Sequence, residues 1–365
     1  MKKRVLIIAG VALLIAFLIA GGLFVYRVRQ GFLAAREIPG ELKEAKVIRG
    51  ADRFSKEVLF TEPDLGVITD FEYKANHELV VVGQNGAAFL TEGNSFHRSI
   101  HFERCNSDVV SVELGSGVFL CRGTWNMNTA LFDIGGKTLW SYGGGLAGID
   151  DAAAGALGPN ASRRIVVGFN GDGGVRLLSS EGKELWKRDD GNVWHVEIAS
   201  PAGKSRNVIL HSNARGQLTV RDENGNVLGR YDPEIYLASF AMTAWGDDPD
   251  LNKLLASDKG LIYVLTADGK TLVRLPAPGS ASMAQPKGTR VHFSASVPYF
   301  AGLLRYFLWN RSLLYIYDGQ NQLVYHEILD HDCDALHSAP RKNGMEDLLV
   351  GCEGSVWKYS QLEHH

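Results

Sequence analysis

The sequence predicts an all-β protein, a β-propeller of seven four-stranded blades, led by one N-terminal transmembrane helix. Three observations predict it. Short alternating apolar runs recur between glycine-rich turns, those turns return at a near-constant spacing, and one uncharged apolar run stands at the front. Glycine supplies 41 of 365 residues, well above the usual ~7%, as a chain with many tight turns requires. Net charge is −3, so there is no bulk electrostatic case for nucleic acid.

The front of the chain comes first. Lys2, Lys3 and Arg4 precede a run from Val5 to Tyr26 that carries no charge. As a helix this run spans about 33 Å, enough to cross a bilayer core. A cleaved signal peptide is the alternative, with Ala20 and Gly22 as a weak cleavage site. Signal-peptide apolar regions usually run ~7–15 residues, whereas this one continues through Leu23, Phe24 and Val25. An uncleaved signal anchor over 1–26 is the expectation. The short basic leader favours an inside N-terminus with the bulk outside. No cysteine precedes Cys105, so no lipid attachment site is visible. Residues 27–49, broken by Pro39-Gly40, read as a linker. The propeller is expected over 50–361. Residues 362–365 look like an affinity-tag remnant and are left out of any metal argument.

The repeat defines the rest. Asp133 to Tyr142 reads DIGGKTLWSY, Ser179 to Asp190 reads SSEGKELWKRDD, and Thr266 to Leu275 reads TADGKTLVRL. The turn glycines Gly93, Gly136, Gly182, Gly225 and Gly269 are separated by 43, 46, 43 and 44 residues. Each follows strand patterns such as Glu78 to Leu90, ELVVVGQNGAAFL. A period near 45 residues with several short strands per unit is the mark of a propeller blade. Seven units are expected, over 66–104, 105–145, 146–191, 192–234, 235–281, 282–329 and 330–361. The sixth is degenerate, so six or eight blades stay open. The last unit stops at Trp357-Lys358-Tyr359, while Ser55 to Phe60 reads like a displaced outer strand. Pairing of that N-terminal strand with the last blade would close the ring and remove an open edge.

Cys105 and Cys121 lie 16 residues apart, and Cys333 and Cys352 lie 19 apart. Each pair falls on neighbouring strands of one unit. In an oxidising compartment both can form short-loop disulfides; four buried thiols are the alternative.

These motifs resemble the quinoprotein-like β-propellers, whose blades repeat the form A-x-D-x-x-G-K-x-x-W. Ala267-Asp268-Gly269-Lys270 matches best, and the resemblance spans about 50 to 360. Its nearest functional analogue resembles the propeller subunit of the outer-membrane protein assembly machinery, a non-enzymatic periplasmic scaffold that is lipid-anchored. The resemblance therefore implies a membrane-anchored periplasmic propeller acting as a protein-protein interaction scaffold in an envelope complex, here held single-pass in the inner membrane. The implied partners are other envelope or membrane proteins.

The alternative is a funnel-site enzyme or small-ligand binder, arylsulfotransferase-like or quinone-binding. Asp70, Asp151, His195 and His337 lie on expected inner strands and would face one funnel. Solvated channel residues are the plainer reading of them. The run Asp330-His331-Asp332-Cys333-Asp334 suggests metal only weakly, because neighbouring strand residues point to opposite faces. The sequence assigns no catalytic residue, no cofactor and no metal ligand. A partner face is expected on the irregular connections 153–162, 245–251 and 286–299, with Leu157, Trp245 and Tyr299 as exposed anchors.

Overall fold

Runs such as Leu79 to Gly83 and Ile165 to Phe169 are apolar at nearly every position, and both are buried throughout. A strand with water on one face would alternate. These strands lie in the middle of sheets covered on both faces by neighbouring sheets, which is how propeller blades pack. In the computed structural model the described residues are 13, 15, 17–27, 29 and 40–362, apart from 75–77, 92–94, 104, 106, 113–117, 124, 126, 144, 146, 201–205, 247–249, 280–284, 295–296, 307–308 and 342.

The chain divides into two units, 1–43 and 44–365. In the first, residues 17–27 are helical and Gly40–Leu42 form a 3-10 turn. Phe17, Leu18, Phe24 and Val25 on that helix are 65–75% exposed. Among the described residues no helix is long and apolar enough to cross a membrane. Much of the expected anchor, Met1 to Ala16 except Leu13 and Ile15, lies outside the described residues.

The second unit is a seven-bladed propeller. Blades one to five are four-stranded antiparallel sheets running from inner to outer strand in chain order, over 68–101, 109–143, 149–188, 193–231 and 241–276. Blade six covers 285–329 and blade seven 333–361. The outer strand of blade seven is Phe54–Thr61, with Phe54 opposite Gln361 and Thr61 opposite Ser355. The displaced strand closes the ring as its sequence predicts.

Two features depart from the sequence reading. Residues 46–49, assigned above to the linker, form a fifth strand on blade six, with Lys46 opposite Ile328. All four of its side chains are exposed, so it carries no apolar alternation by which to be recognised. The expected irregular connections also shrink. Strand Ile149–Leu157 leaves only 158–161 as a loop, and Gln285–Val291 is itself the inner strand of blade six. Their small residues mislead propensity but serve close packing. A Cβ on Gly155 would stand 2.9 Å from Ile198 Cγ2 in blade four, and one on Gly288 would stand 2.6 Å from Leu255 Cδ2 in blade five.

The repeated Gly-Lys-x-Leu-Trp now has a physical account. In blades two to five a side-chain oxygen, of Asp133, Ser179, Asp222 or Thr266, opens the turn and accepts backbone N–H groups. Asp133 Oδ1 takes Gly135 and Lys137 N at 2.9 Å each, and Asp222 Oδ1 takes Asn224 and Asn226 N at 2.9 and 2.7 Å. The turn glycine needs a left-handed backbone, φ 78° at Gly182 and 79° at Gly225. It also needs to be bare. Trp140 of blade two lies over Gly182 of blade three and donates its indole N–H to Ser180 O at 2.9 Å; a Cβ on Gly182 would stand 2.6 Å from the ring. Trp186 repeats this one blade further on, donating to Glu223 O at 2.9 Å. The tryptophan of one repeat is the cover of the next repeat's glycine.

Candidate functional site

The ends where inner strands begin gather several buried charged groups, Asp151, His195, Asp332 and Asp334 among them. In blades one, three, four and seven the inner strand starts with a bulge, after which stand Asp70, Asp151, His195 and Ala335. A bulge re-aims the side chain beside it, and at the first two positions it produces the same clamp. Asp70 accepts the Phe71 N–H and, from the next blade, the Ser111 N–H, both at 2.9 Å. Asp151 accepts the Ala152 N–H at 2.9 Å and, from the next blade, the Val196 N–H at 3.1 Å.

The two clamps differ in their cations. Arg122 of blade two grips Asp151 through two hydrogen bonds of 2.8 Å, and His195 Nδ1 lies 2.6 Å from the same carboxylate. Burial pushes the Asp151 carboxyl up, but Arg122 and His195 together hold it well below the usual range. Among the described residues no cation lies at hydrogen-bond distance from Asp70, and burial lifts it to about 6. His195 Nε2 finds no hydrogen bond among the described residues and is itself buried, 3.7 Å from Glu197 Oε1.

A second hub centres on Arg305 of blade six. It holds Asp332 through two bonds of 2.6 and 2.9 Å, Asp334 at 3.0 Å, and Asp108 of blade two at 3.3 Å. Gln84 donates to Asp108 at 3.0 Å. Three blades, six, seven and two, therefore meet on one guanidinium. The disulfides Cys105–Cys121 and Cys333–Cys352 flank the same hub: Asp108 follows Cys105 by three residues, and Asp332 and Asp334 bracket Cys333. The paired reading of the four cysteines is the one the structure adopts.

The four expected funnel residues do not form one constellation. Asp151 and His195 come together; Asp70 serves its own clamp, and His337 stacks on Tyr73 with ring centroids 5.4 Å apart. The expected partner face also changes. Leu157 is buried at 2% exposure in the core between blades three and four. Trp245 packs edge-on against Phe300 at 4.5 Å, and Tyr299 against Phe293 at 5.4 Å. Each was expected outside because its segment looked irregular. Leu157 ends strand Ile149–Leu157 and Tyr299 opens strand Tyr299–Tyr306, while Trp245 follows strand Ala241–Thr243; the latter two are half-buried. Asp332 and Asp334, weighed as metal ligands, belong to Arg305, and among the described residues no group of three His, Cys, Asp or Glu could hold a metal ion. Sequence reasoning missed Arg122, Arg305 and Trp125, the last 87% exposed on the blade-two loop. The arginines' partners lie far along the chain, and the tryptophan sits in no repeat position.

Fold and site together define a seven-bladed β-propeller whose inner-strand entrances are laced by inter-blade ion pairs. No family model matches the chain, and no curated protein matches it. Solved structures do, at fold level. A streptogramin B lyase structure is 14% identical, covering 86% of this chain and 99% of that one with a TM-score of 0.57. BBS1N in complex with ARL6DN is 11% identical, covering 85% and 97% with a TM-score of 0.54. BamB from Moraxella catarrhalis, 15% identical over 82% of this chain and 85% of that one, has a TM-score of 0.45 and adds nothing to the fold assignment.

Proposed function

We propose that this chain is an interaction scaffold: a rigid propeller that presents loops to protein partners, anchored through its N-terminal apolar segment in the inner membrane with the propeller in the periplasm. The observation that carries the scaffold reading is the use made of the central ionisable groups. Asp70, Asp151, Asp108, Asp332 and Asp334 spend their acceptor capacity on neighbouring blades. A catalytic funnel needs such groups aimed at a substrate. The fold accommodates both uses, since one similar structure is a lyase by name and another is a complex with a protein.

The anchored, exported placement is supported by two features. The apolar helix residues are left open to solvent, which water disfavours and lipid does not. Two disulfides persist in an oxidising compartment. Crosslinking of the full chain in native membranes, followed by affinity purification, tests the reading. Reproducible co-purification of envelope proteins is expected. A chain that travels alone, or an exported-type reporter fused after Gln361 that is silent while a cytoplasmic one works, would defeat it.

A further inference from the structure

The connection between the second and third strands of blade two holds a tryptophan in open solvent. Trp125 is 87% exposed, and its backbone sits at φ 58°, a left-handed conformation that is costly for any residue with a Cβ. Met127, two residues further on, is 49% exposed. At the loop's start Arg122 is tied to Asp151, and the loop's end runs directly into strand Asn128–Phe132.

The start of this loop meets an edge of blade three that carries acidic residues. Gly123 lies against blade three, where an added Cβ would stand 3.0 Å from Ile149 Cγ2; the next residue is Asp150. Asn170 clasps Gly148, accepting its N–H at 3.1 Å and donating its own N–H to the Gly148 carbonyl at 3.0 Å. This brings the turn 170–173, with the exposed Asp172, to the same edge. No ion pair of the described residues involves Asp150 or Asp172, and the nearby Arg122 is committed to Asp151. Burial, with Asp151 adding to it and a hydrogen bond with the Asn170 side chain opposing it, lifts the Asp150 carboxyl to about 6, and no cation is among the causes.

We infer that Trp125, Asp150 and Asp172 form a docking site for a partner-protein segment that carries lysine or arginine beside an apolar pocket for the indole. The inference rests on the scaffold reading above and names the class of partner. Tryptophan is the strongest single anchor at interfaces. Two carboxylates without cations select a basic segment and repel acidic segments and anionic lipid headgroups. Backbone strain that packs nothing into the propeller is the kind found where a side chain serves something outside the fold.

The test uses the full chain in its native membranes. A photo-crosslinking residue at Met127, with Trp125 left in place, should yield an adduct whose partner peptide bears lysine or arginine within a few residues of the link. Adduct yield should fall about fivefold in the double variant Asp150→Asn, Asp172→Asn, and fall likewise in raised salt. A lipid adduct, an adduct to an acidic or uncharged segment, or none at all would overturn the inference. Independently, Trp125→Gly should keep or raise the melting temperature, because glycine tolerates the left-handed backbone, while partner recovery drops about tenfold. A lowered melting temperature with undiminished recovery would make Trp125 a structural residue. Partners retained in every variant defeat only this docking site; no partner with the unaltered chain defeats the scaffold reading itself.

Discussion

Asp70 and Asp151 occupy one position in two blades, clamp the same two backbone groups, and titrate in opposite senses. Asp70 is lifted to about 6, above the ordinary ~3.9 of an unfolded aspartate. The folded state then holds the proton more tightly, so stability from this group is present below about pH 4 and is lost as pH rises through about 6. Asp151 is held low by Arg122 and His195, so its contribution is present above about pH 4 and lost on acidification. Asp70→Asn should therefore flatten the slope of stability between pH 4 and 6.5. Asp151→Asn should cost about 3–5 kcal/mol at neutral pH, because Arg122 is left buried without its counter-charge. Denaturant unfolding of both variants across pH 3–8 checks this; the same profile for both would refute the assignment of cause. The aspartates were legible from the sequence as inner-strand residues. Their roles were not, because Arg122 lies 29 residues from Asp151 and Arg305 lies 197 from Asp108, and nothing local marks those pairs.

At the scale of elements, the Gly-Lys-x-Leu-Trp units were legible because turn chemistry and strand alternation are local. What a single repeat cannot display is that its tryptophan serves the following blade. Trp186→Ala should lose about 2–3 kcal/mol, less than a fully buried tryptophan would, since the indole is only partly covered. Gly182→Ala should cost at least about 1–2 kcal/mol from its left-handed backbone, and more from contact with the Trp140 ring. The two effects should be non-additive for Trp140 and Gly182, which touch, and additive for Trp186 and Gly182; equal coupling in both pairs would mean that the glycine matters only for its own turn. The strand 46–49 escaped the sequence because four exposed residues offer no pattern. The disulfides were visible only as alternatives, since spacing does not distinguish a bridge from two core thiols. Replacing Cys333 and Cys352 by serine should remove about 3 kcal/mol, as expected for so short a loop, and the loss should appear in denaturant unfolding as a lower midpoint.

For the whole molecule, closure is the decisive event, because a propeller with one blade short of its outer strand presents an open edge. Strand Phe54–Thr61 does more than pair with Ser355–Gln361. Phe54 stacks edge-on against Phe293 at 5.0 Å and Tyr325 at 5.3 Å in blade six, and Lys56 reaches Glu327 there at 2.7 Å. The closing strand thus ties blade seven to blade six as well as to itself. Arg305 supplies a second tie on the channel side, reaching from blade six to blades seven and two. A chain cut before residue 45 keeps both ties and should unfold in one cooperative transition. A chain cut before residue 63 keeps only Arg305 and should lose several kcal/mol, with a lower denaturant midpoint and concentration-dependent association through the bared edge. A synthetic peptide of residues 50–62 added to the shorter chain should restore the midpoint and abolish the association, and a peptide with proline in place of Val58 should not, because proline removes a ladder donor. If the chain cut before residue 63 matched the longer one in midpoint and solution state, the N-terminal strand would be an ornament on blade seven, and closure would have to come from the interlocked inner strands alone.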